Sequence, residues 1–166
     1  MARLFAAALA ANLGVGALGL LFIWFRTRDL AVVDAAALGQ QTDPALQELL
    51  RNDVTGASNA FWLVVIAAAL ISSFVWLLIA QFRKPATPQQ ARGASLAWWL
   101  ELLAVVVVSL VAGFFLWRNG NVAGDWKTLL LALGVFGGIL AYYLATSLGV
   151  KRSMIPSAPL ASLFRR

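Results

Sequence analysis

Four long apolar runs decide what this chain can become. They cover residues 4–25, 61–82, 96–117 and 126–150. The hydrocarbon core of a bilayer is about 30 Å thick and takes about 20 apolar residues in a helix, so each run is long enough to cross once. The second, FWLVVIAAALISSFVWLLIAQF, holds no charge; the third holds one acid, Glu101; the fourth is uncharged after Lys127. Helices are expected because lipid offers no partner to exposed backbone N–H and C=O groups. Strands of a lipid-facing barrel would alternate at every second residue, and runs such as VVIAAALI and LLAVVVVSLVAGFFL do not. The sequence therefore predicts an all-α membrane protein, a single membrane domain over residues 1–166. Its core is a bundle of four transmembrane helices, with a longer outer loop at 26–60 that contains a short amphipathic helix and a tail at 151–166.

Composition agrees and removes whole classes of chemistry. Hydrophobic residues make up 61% and charged residues 12% of the chain, against roughly 45–50% and about 25% in soluble domains. With no cysteine and no histidine, disulfides, thiolate metal sites, haem ligation by histidine and the usual neutral-pH general base are all excluded. The first run resembles a secretory leader in its Arg3 and its alanines. At 22 residues it exceeds the usual apolar core of such leaders, about 7–15 residues, so a retained helix is expected.

The connections set the neighbours and the orientation. Residues 83–95 and 118–125 are short and rich in turn formers, so the second, third and fourth helices should be antiparallel neighbours. Basic residues in short loops mark the cytoplasmic side. With the N-terminus inside, eight of them fall inside (Arg3, Arg83, Lys84, Arg92, Lys151, Arg152, Arg165, Arg166) and five outside (Arg26, Arg28, Arg51, Arg118, Lys127). Both termini are expected in the cytoplasm. Trp24, Trp62, Trp117 and Trp126 fall at outer run ends and Trp98 and Trp99 at an inner one, where indole favours the headgroup level. The net charge of +6 is explained by this topology; scattered over two sides, it gives no nucleic-acid surface. Ten arginines against three lysines, with abundant alanine, suit a bacterial inner-membrane protein.

A few residues stand out. Glu101 is the only acid within a run, five residues from its start, or roughly 7–8 Å at 1.5 Å per residue. It is expected either to reach the headgroups or pair with Arg83, Lys84, Arg92 or Arg152, or to be an ionisable site facing other helices or a partner subunit. Gly14-Val15-Gly16-Ala17-Leu18-Gly19 matches a dinucleotide fingerprint in letters only, since no strand precedes it. Together with Asn12, and with Gly134-x-x-x-Gly138 in the fourth run, it reads as a helix-packing surface. In the outer loop, Asp43-Pro44 reads as a capped helix start, with Leu46, Leu49 and Leu50 on one face as a docking candidate. The tail mixes Met154, Ile155, Leu160, Leu163 and Phe164 with Arg165 and Arg166, which suits the headgroup layer or a partner.

No paired carboxylate, nucleophile elbow or metal-ligand spacing is present, so no enzyme is expected and no metal-ligated or covalent cofactor. Bound lipid, quinone or pigment needs no ligand residue. The functional expectation is a non-catalytic structural, assembly or accessory subunit of a larger membrane complex, in contact with membrane lipids and other integral membrane subunits. The alternative is a small oligomeric transporter or channel using Glu101; its polar lining would have to come from Asn12, Ser72, Ser73, Glu101, Ser109, Thr146 and Ser147.

Overall fold

The computed structural model describes residues 2–26, 39, 42–82, 88–118 and 124–149. Within them lie four helices: α1 (Ala2–Arg26), α2 (Pro44–Phe82), α3 (Pro88–Arg118) and α4 (Gly124–Gly149). Three of these, in α2, α3 and α4, are long and apolar enough to cross a membrane. The apolar stretch described in α1, Leu9–Trp24, is shorter. The C-terminal tail, Arg83, Lys84, Arg152 and most of the 27–41 segment lie outside the described residues.

Named contacts fix the directions. Asn12 meets Ser73, Gly16 faces Leu70 and Gly19 faces Ile66, so α1 and α2 are antiparallel. Trp76 meets Ala94, and Gly113 lies near Phe61, which makes α2 and α3 antiparallel. Trp98 meets Thr146, and Gly113 faces Leu131, giving the same for α3 and α4. The helices thus alternate up and down; α2 and α4, which run in parallel, also touch. α1 packs on α2 and α4, on the side away from α3. We call the end where α1 and α3 begin the near end, and the other the far end.

The expected short amphipathic helix does not exist as a separate element. It forms the first turns of α2, which runs unbroken for 39 residues, about 58 Å at 1.5 Å per residue. Asp43 caps it: its Oδ1 accepts from Ala45 N–H at 2.9 Å, its carbonyl accepts from Gln47 N–H at 3.1 Å, and Pro44 takes the first helical position. Thr55, Gly56, Ser58 and Asn59 are weak helix formers, yet the helix continues through them. A buried stripe does the holding: Val54, Ser58, Phe61, Val65, Ala69 and Trp76 follow one another at steps of three, four or seven residues. Propagation through a few poor residues is cheap once both flanks are helical and packed. For the same reason α3 starts at Pro88 rather than near residue 96, shortening the loop before it.

Two clusters make the core. The near-end cluster joins Ala69, Trp76, Leu77, Ala80, Trp98, Val105 and Tyr142. The far-end cluster joins Ile23, Val54, Phe61, Trp62, Val65 and Leu130. Trp62 and Trp98, which fall at run ends, turn into the bundle and are buried at 4% and 1% exposure. Each lies in phase with its helix's buried stripe, and packing against neighbours decides its orientation. Trp24 and Trp99 do face outward.

Candidate functional site

Toward its near end, the bundle collects polar groups from all four helices. α1 brings Asn12 and α2 brings Ser72 and Ser73, all buried. The contacts that tie Trp76 to Ala94 and Phe61 to Gly113 put Glu101 of α3 at the level of Ser72. Those that tie Trp98 to Thr146 and Gly113 to Leu131 put it at the level of Tyr142 of α4.

Four of the hydrogen bonds here join helices, others close within a helix, and the buried Ser147 Oγ has no hydrogen-bond partner. The Ser73 hydroxyl lies 2.6 Å from Asn12 Oδ1 and 2.9 Å from the Leu70 carbonyl. A hydroxyl has one proton to give, so Ser73 donates either to Asn12 Oδ1 across to α1 or to the Leu70 carbonyl within its own helix. Trp76 Nε1 donates across to Ala94 O at 3.0 Å. Trp98 Nε1 donates to Thr146 Oγ1 at 3.2 Å, and Tyr142 OH donates back to Trp98 O at 3.0 Å. The two rings lie 5.2 Å apart. Thr146 gives its own proton to the carbonyl of Tyr142 or Tyr143, at 2.9 and 3.1 Å, which leaves its oxygen free to accept from Trp98. Ser109 similarly bonds Val105 O at 2.8 Å. From the sequence, Thr146 and Ser73 count among the pore-lining candidates, and no role inside the bundle is expected of Trp98 or Tyr142. The phase of Trp98 with Ala94 and Val105 was the available signal.

Glu101 is the ionisable member of this layer and is half-buried. It sits on the flank of the α3 stripe, three residues after Trp98 and four before Val105. Arg92 cannot be its partner: nine residues earlier on the same helix, it points to the opposite side and lies about 13 Å away along the axis. Arg83, Lys84 and Arg152 are outside the described residues. Among the described residues no group of three His, Cys, Asp or Glu could hold a metal.

No protein-family model, curated protein or solved structure matches the chain. Its functional reading therefore rests on its own residues.

The glycines divide by direction. A Cβ on Gly134 would overlap the Phe61 ring, and one on Gly138 would press on Val65 and Val105 at 3.0 Å, so this pair seats α4 against α2 and α3. Gly16 and Gly19 seat α1 against Leu70 and Ile66 of α2. Among the described residues, nothing lies within 4 Å of where a Cβ on Gly14 would be. Gly113 and Gly137, which the sequence reading passed over, lie against Leu131 and Trp62. On the far-end projection of α2, Leu46 and Leu49 are exposed at 45% and 61%, while Leu50 packs against the far-end core.

Proposed function

We propose that this chain is a non-catalytic structural or accessory subunit of a larger integral membrane complex. The observation that carries the reading is the use of the polar side chains. Asn12, Ser73, Trp76, Trp98, Tyr142 and Thr146 are occupied in bonds within and between helices, whereas a pore lining must keep its polar groups turned to water. Among the described residues, two apolar grooves lie on the outside of the bundle, one of about 510 Å³ between α2 and α3 and one of about 410 Å³ over Trp62 and Ile66 between α1 and α4. Grooves of this kind accept lipid, quinone or pigment tails and neighbouring helices by packing alone.

The reading places the chain in a bacterial inner membrane, with four crossings and both termini cytoplasmic. α1 supplies the fourth crossing, since its 25 residues reach about 37 Å. The near end is then cytoplasmic, and the projecting start of α2 stands outside with Leu46 and Leu49 available to an extracytoplasmic partner. Reporter fusions after Arg166 and within residues 27–41 test the orientation; extracytoplasmic activity from the C-terminal fusion contradicts it. Gentle extraction from native membranes, followed by native electrophoresis, tests the subunit role. A different polypeptide co-migrating in fixed ratio supports it, and a chain that migrates alone overturns it. The competing transporter or channel reading has one observation in its favour: Glu101 is turned partly toward the bundle rather than wholly to lipid.

A further inference from the structure

We draw no further inference here: the strongest candidate, the groove of about 410 Å³ over Trp62 and Ile66 between α1 and α4, is lined by apolar side chains and nothing in the structure shows what covers it.

Discussion

The two ends of the bundle solve one problem by different means. Lipid tails are as apolar as leucine, so nothing drives helices together by excluding water; close packing and interhelical hydrogen bonds must do it. At the near end the ties are directional. Trp76, Trp98 and Tyr142 fill the core with their rings and hand their polar edges to Ala94, Thr146 and a Trp98 carbonyl on neighbouring helices. At the far end the fit is steric. Phe61 and Trp62 lie edge to face, 5.8 Å apart, and press into gaps left by Gly134 and Gly137. Phe22 of α1 stands against the same Trp62 at 5.1 Å. The near end should therefore tolerate changes of volume better than loss of a donor, and the far end the reverse.

The far end offers the largest effect. Gly134→Leu puts a side chain where the Phe61 ring already is, and overpacking of this kind typically costs about 1–3 kcal/mol, occasionally more. Unfolding of the purified chain by denaturing detergent should show that loss, and Phe61→Ala added to it should recover part of it. No recovery would mean that Phe61 is not what limits this contact. Trp98→Phe comes next. It keeps most of the ring and removes the bond to Thr146, with an expected loss of about 1 kcal/mol by the same assay. A double-mutant cycle with Thr146→Val should return a coupling of about 0.6 kcal/mol, the average for such bonds in membrane proteins. A coupling near zero would erase the distinction between the ends. Asn12→Leu should cost a similar amount and act on α1 alone, read as increased protease cleavage between α1 and α2. The smallest effect is expected from Glu101→Gln. An amide is cheaper than a carboxylate in lipid, so insertion and stability should barely change.

The sequence makes the helices legible because apolar run length is a strong signal, and Asp43-Pro44 marks a helix start that the structure keeps. Their joins were harder to read. Residues 51–60 look like loop because Thr55, Gly56, Ser58 and Asn59 have little helix propensity. What holds them helical is a stripe of burial at Val54, Ser58 and Phe61, which only the packed neighbours reveal. In the polar layer, Asn12 and Glu101 are conspicuous as isolated polar residues in apolar runs. Trp98 and Tyr142 are not, because a tryptophan near a run end serves equally as a headgroup anchor or as a core residue, and helical phase alone separates the two. The glycine pair in α4 announces a packing face, but the sequence does not say whether it is met by Phe61 of the same chain or by another molecule.

On the proposed function, the polar layer fastens the helices and conducts nothing. The most direct test is flux. The purified full chain, reconstituted in liposomes, is assayed for movement of protons, potassium and chloride under an imposed gradient. We expect no flux above that of protein-free liposomes. Flux that Glu101→Gln or Asn12→Leu abolishes while the bundle stays folded would contradict the claim and make the layer a conduit.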